Sequence, residues 1–153
     1  MLALSAKAKT SAAVRVAAAM RTIVCPGKET SPYNLPDRCS DTPGATLPRC
    51  DFKDKDIAPV PLQVGMLRIG ETTLIQADAN ITQPVWQSLK ADARPGTLLV
   101  NLMFGPMHYV VPDAAYPTYS YQVTASTAKP GCAEQGFIGA TRAMTAELDA
   151  NAG

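Results

Sequence analysis

Histidine is almost missing: the 153-residue chain has one, His108, so any mechanism that needs two histidines from one polypeptide is excluded. Aromatic residues are also few, at 6%, which leaves little material for stacking on nucleic-acid bases. Neither sign of charge dominates. Lys and Arg number 14 against 13 Asp and Glu, whereas a nucleic-acid binder normally carries a basic excess on one face. No nucleic-acid partner is expected. The longest uncharged stretch, from Pro95 to Pro112, is interrupted by Asn101, Gly105, Pro106 and His108. A membrane-spanning helix wants roughly 20 mainly apolar residues, so no transmembrane segment is expected either. Also missing are a CxxC pair, GxGxxG, a P-loop and a GxSxG nucleophile elbow.

What remains is a chain of one-domain length with 46% apolar residues, too apolar for a disordered one. Residues 1–24 are Ala-rich and predict a helix. Lys7, Lys9, Arg15 and Arg21 interrupt what would be the apolar core of a signal peptide, and none is visible. The same acid-free, basic composition suits a transit peptide. Residues 25–61 are Pro-rich, end near the charge run Asp51–Asp56, and predict a long loop arm. Three of the four cysteines, Cys25, Cys39 and Cys50, lie in that arm and Cys132 is far away. Local disulfides would be Cys25–Cys39, Cys39–Cys50 or Cys25–Cys50, and they imply a secreted or extracytoplasmic protein. The alternative is four reduced thiols in a cytosolic chain.

From Leu62 onward the pattern tightens, which divides the chain into an arm (1–61) and an α/β segment (62–153). Leu62, Val64, Met66, Leu67 and Ile69 predict a strand, Gly70-Glu71 a turn, and Thr72–Ile75 a return strand. Asn80 suits a helix N-cap, with Gln83 three residues on and Pro84 in the first turn. Ile81, Val85 and Leu89 share one face of that helix, widened by Trp86. Thr97–Phe104 is nearly all apolar and predicts a strand covered on both faces. A Pro- and Tyr-rich loop and a last helix over Ala133–Leu148 follow. The predicted class is α/β: a small mixed sheet with helices packed on it, preceded by the Ala-rich helix and the Pro-rich arm.

Two short runs hint at chemistry. Asn80-Ile81-Thr82 fits an N-glycosylation acceptor, although helix capping explains the same residues. Met107–Tyr116 sits just past an apolar strand, where α/β sheets place their sites. Tyr109, Tyr116, Tyr119 and Tyr121 crowd around it. Their bland role is to pack rings on the edge of the core with the hydroxyls wet.

The order of several segments resembles the C-terminal part of the catalytic domain of neutral/alkaline ceramidases. The segments are Leu62–Val64, Leu67–Gly70, Ala79–Thr82, His108–Val110, Asp113–Tyr116, Ala125–Thr127 and Lys129–Glu134, within roughly residues 58–149. The resemblance implies a zinc amidohydrolase that splits N-acylsphingosine into sphingosine and a fatty acid. It implies a metal held by two histidines from an upstream portion, a glutamate and a tyrosine, with zinc activating water and polarising the amide carbonyl. Tyr109 falls at the tyrosine position. The glutamate position falls on Asn80, with Ala79 in place of the family's glycine and Thr82 matching. Asn80 is neutral and a poor zinc ligand, and Asp78 would need a shift of the turn to replace it. No catalytic residue is assigned, and substrate-binding residues are not specified. The expectation is a ceramidase-like portion that is inert as this isolated chain and would pack against a missing N-terminal half. The alternative is a non-catalytic secreted module that binds a lipid or a partner on its tyrosine-rich loop.

Overall fold

The computed structural model of the protein describes residues 14–28, 38–41, 43–44, 46, 49–51, 56–101, 105–118 and 120–151. Its centre is a four-stranded mixed sheet in the order β1-β4-β5-β7. β1 is Val16–Lys28, β4 is Asp56–Ile69, β5 is Thr72–Ala77 and β7 is Thr97–Asn101. β1 pairs antiparallel with β4, β4 antiparallel with β5, and β5 parallel with β7. Two short ladders are separate from this sheet. One joins β2 (Arg38–Ser40) to β3 (Arg49–Asp51), and the other joins β6 (Asn80–Ile81) to β8 (Tyr109–Val110). The helices are α1 (Gln83–Lys90), the short α2 (Tyr121–Ala125) and α3 (Ala133–Ala150), with a single 3-10 turn at Asp113–Ala115. The α/β class is as the sequence pattern predicts.

Alternation along the strands sets the core. Leu62, Val64 and Met66 of β4 point to the same face as Ile75 and Ala77 of β5, and all five are buried. α3 lies across that face, with Phe137, Thr141, Met144 and Leu148 buried along one side. It approaches β1 closely: a β-carbon on Gly136 would stand 2.7 Å from Cγ2 of Ile23. α1 buries Val85 and Leu89, one turn apart.

Four sequence expectations are corrected here. Residues 16–24 are not helical but form most of β1, while residues 1–13 lie outside the described residues. Alanine is the best intrinsic helix former, yet the long ladder to β4 overrides that preference. Ala17, Ala19, Ile23 and Cys25 turn inward, and Val16, Met20 and Val24 turn outward. The supposed loop arm contains the end of β1, β2, β3 and the start of β4. Its prolines do not forbid this: Pro59 and Pro61 lie where β4 has β1 on one side and β5 has not yet begun. β7 is an edge strand and is not covered on both faces, since Leu98 is 55% and Val100 39% exposed. Residues 102–104 of that predicted strand lie outside the described residues. The cap of α1 is Thr82 and not Asn80, which belongs to β6.

The cysteines also pair differently from the local options. Sulfurs of Cys25 and Cys132 lie 2.06 Å apart, at bonding distance, across 107 residues of sequence. They join the end of β1 to the cap of α3. Cys39 and Cys50 are opposite one another in the β2–β3 ladder.

Candidate functional site

The β6–β8 ladder places Asn80 directly opposite Tyr109 and Ile81 opposite Val110. The two residues singled out by the ceramidase resemblance, 29 positions apart by number, are thus neighbours on parallel strands. Asn80 N donates to His108 O at 2.7 Å, and Thr82 uses both its amide and its hydroxyl on Val110 O, at 3.1 and 2.9 Å. The turn that delivers Tyr109 is tight. His108 sits in the left-handed region at φ 59°, a conformation His tolerates better than most residues. Just before it, Gly105 passes so close to the backbone of Asp78 that a β-carbon would lie 1.6 Å from Asp78 O. His108 itself is exposed.

Asn101, at the end of β7, locks this ladder to the main sheet. Its Oδ1 accepts from Ile81 N at 3.0 Å, and its Nδ2 donates to Ile81 O at 3.1 Å. The same Nδ2 reaches Asn80 Oδ1 at 3.4 Å. One carboxamide therefore supplies both hydrogen bonds that a neighbouring strand would give to Ile81. Beside it opens a groove of about 420 Å³, walled by Asn80, Gln83, Trp86, Asn101, Tyr109 and Gln122. Among the described residues no charged side chain lines it. Tyr109 is half-buried and stands edge-on to Tyr121, with ring centroids 5.8 Å apart. The wall is carboxamide donors and acceptors, one phenol and one indole, which suits hydrogen bonding to a neutral polar ligand.

The later segments of the resemblance, from Asp113 to Glu134, are tied to one another and to Tyr109 by hydrogen bonds. Glu134 Oε2 accepts from Asp113 N at 2.8 Å, while Asp113 Oδ1 accepts from Gly131 N at 2.7 Å. Tyr116 donates its hydroxyl to Ala128 O at 2.8 Å, and Ser126 Oγ donates to Tyr109 O at 2.9 Å. Tyr116 thus packs at the edge of the core, but its hydroxyl is spent on a buried carbonyl and not left wet, and Tyr119 lies outside the described residues. Asp78 does not take the place of Asn80: its carboxylate accepts from Gln63 N at 2.8 Å and stands outside the groove wall. In the sequence Asn101 and Gln122 do not stand out as site residues, and Gln83 reads only as part of a helix cap. The signal for Asn101 was a lone carboxamide inside an otherwise apolar run.

Zinc can be tested against these donors. Structural and catalytic zinc sites are built from thiolates, imidazoles and carboxylates. What the ladder brings together is a neutral carboxamide, already engaged by Asn101, and a phenol. Among the described residues no group of three or more His, Cys, Asp or Glu converges. The residues the ladder brings together do not fit a zinc site by themselves. Comparison with known proteins returns no match: no family model, no curated protein and no solved structure is similar to this chain.

Proposed function

We propose that the chain is a ceramidase-like amidohydrolase portion that binds an N-acylsphingosine-type lipid in the Asn80–Tyr109 groove and does not hydrolyse it alone. The observation that carries this reading is the direct pairing of Asn80 with Tyr109 across β6 and β8. The carboxamides around it match an amide head, because each offers a donor and an acceptor to the ligand's carbonyl and N–H. Trp86 and Leu99 supply apolar wall for the start of a chain. Asn80 has no charge with which to draw a metal or accept a proton, so binding and turnover separate at this residue.

The test uses the full chain and short-chain N-acylsphingosine in mixed micelles, with and without zinc. Saturable binding without product is expected. Asn80→Glu, which replaces a neutral carboxamide by a carboxylate, is expected to weaken lipid binding at the groove, read by calorimetry. Product above the no-protein rate from the unaltered chain would overturn the inert reading. Failure to bind would overturn the lipid reading. A second reading, a non-catalytic module that binds a partner protein, draws support from the outer face of the sheet. There Val16, Met20, Val24 and Leu98 are each more than half exposed.

A further inference from the structure

The parallel pair β5–β7 has a second end, away from the Asn80–Tyr109 groove. There a cavity of about 230 Å³ lies among β4, β5, the turn before β7 and the last turns of α3. Its floor follows from strand alternation. The inward row Leu62, Val64, Met66 continues to Arg68, so a guanidinium stands where the next core side chain would be. Opposite Arg68 on β1 is the small Ala17, and on β5 the buried Thr73.

Arg68 is incompletely satisfied. Its side chain is 12% exposed, and its Nη1 donates to Asp149 Oδ1 at 2.6 Å. Nε and Nη2 are buried without a hydrogen-bond partner, and so is Oγ1 of Thr141, which lines the same cavity. Nε and Nη2 form one edge of the planar guanidinium, the fork that grips two oxygens of a single oxyanion. The charges point the same way. Arg68, Arg94 and Arg142 line the cavity with two acids, Asp92 and Asp149. Asp149 Oδ1 is shared by Arg68 and Arg94, at 2.6 and 2.7 Å, and Asp92 is taken by Arg142. Three cations thus share two acids, and Arg68, the buried one, keeps two N–H groups unmade, which is unfavourable. Ile75, Leu89 and Ala146 form an apolar wall beside it.

We propose that this cavity is a binding site for a small oxyanion, specifically a monocarboxylate with a short apolar substituent. Nε, Nη2 and the Thr141 hydroxyl are buried beneath the cavity lining, so the Arg68 and Thr141 side chains turn toward the ligand as it enters. Two carboxylate oxygens then engage Nε and Nη2, the Thr141 hydroxyl donates a third hydrogen bond, and the substituent lies toward Ile75 and Leu89. A single negative charge completes the local balance, and the apolar wall selects against phosphate, the other anion with the same oxygen spacing.

The experiment titrates the full chain with butyrate, and separately with inorganic phosphate at equal ionic strength. It follows the Arg68 Nε–H resonance by NMR and the heat of binding by calorimetry. Butyrate is expected to move that resonance saturably, with phosphate at least tenfold weaker. Arg68→Lys keeps the charge and loses the planar fork, so butyrate affinity is expected to fall tenfold or more. Thr141→Val is expected to lower it several-fold while the fold persists. Absence of a saturable shift to about 10 mM butyrate, where a site weaker than millimolar ceases to be specific, overturns the proposal. So does an Arg68→Lys variant that binds as well as the unaltered chain. Phosphate binding as tight as butyrate overturns the assignment to a carboxylate.

Discussion

Asn101 does the work of a missing strand with one side chain. It hydrogen-bonds both the N–H and the C=O of Ile81, a residue 2% exposed, and so carries the β6–β8 ladder on the edge of the main sheet. Asn101→Ala leaves both groups without that partner. The expected loss in urea unfolding is about 1–3 kcal/mol, the penalty for stranding a buried polar group. Asn101→Asp keeps the acceptor for Ile81 N and loses the donor to Ile81 O, so its loss is expected to be smaller. If both variants unfold at the urea midpoint of the unaltered chain, the clamp contributes nothing. At this scale the sequence was partly legible. Tyr109 and Asn80 could be singled out because a pattern of segments pointed to them. Asn101 could not, because its role depends on which strand end meets which, and that is a property of tertiary register.

Among elements, the strand β1 and the helix α3 depend on each other. α3 covers the inner face, Gly136 lets it approach Ile23, and Cys25 meets Cys132 at its cap. Opening that bond is expected to lower stability by on the order of 3–5 kcal/mol, because a closed loop of this length removes much unfolded-chain entropy. Urea unfolding with and without reductant measures it, and a non-reducing peptide map should recover the Cys25–Cys132 pair. A map with only Cys25–Cys39 or Cys25–Cys50 would refute the pairing. The hairpin from Leu62 to Ala77 and the helices α1 and α3 were readable because alternation and helical spacing are strong there. β1 was not. Its inward alanines look like helix formers in isolation, and only the ladder to β4 makes them small residues under a crossing helix.

Over the whole molecule, the sheet is two-sided and unequal. The inner face is closed by α3, whereas the outer face presents Val16, Met20 and Val24 from β1, Ile69 from β4, and Leu98 and Val100 from β7, with exposures from 39% to 62%. Facing residues across the strands confirm that they share one surface: Val16 opposes Ile69, and Leu74 opposes Leu98. An apolar surface of this kind favours association. Concentration-dependent self-association is expected in analytical ultracentrifugation, and Met20→Lys combined with Leu98→Lys is expected to reduce it. The thermal midpoint should hardly move, since exposed substitutions are usually within about 0.5 kcal/mol. A monomer at all concentrations would count against that surface as a contact.

The bond between Cys25 and Cys132 also has a timetable. Synthesis proceeds at roughly 5–20 residues per second, so the first of the two thiols waits on the order of five to twenty seconds for the second, 107 residues later. During that interval Cys39 and Cys50 emerge first and are the nearer thiols. In an oxidising compartment a ring closed early between Cys25 and Cys39 or Cys50 would have to exchange sulfurs to reach the native pair. A ring between Cys39 and Cys50, which face each other across β2 and β3, would instead leave Cys25 free to wait. For chains in which Cys25 is captured early, the slow step in maturation would be the trading of partners after release, with the rate set by the exchange catalyst and not by the sheet.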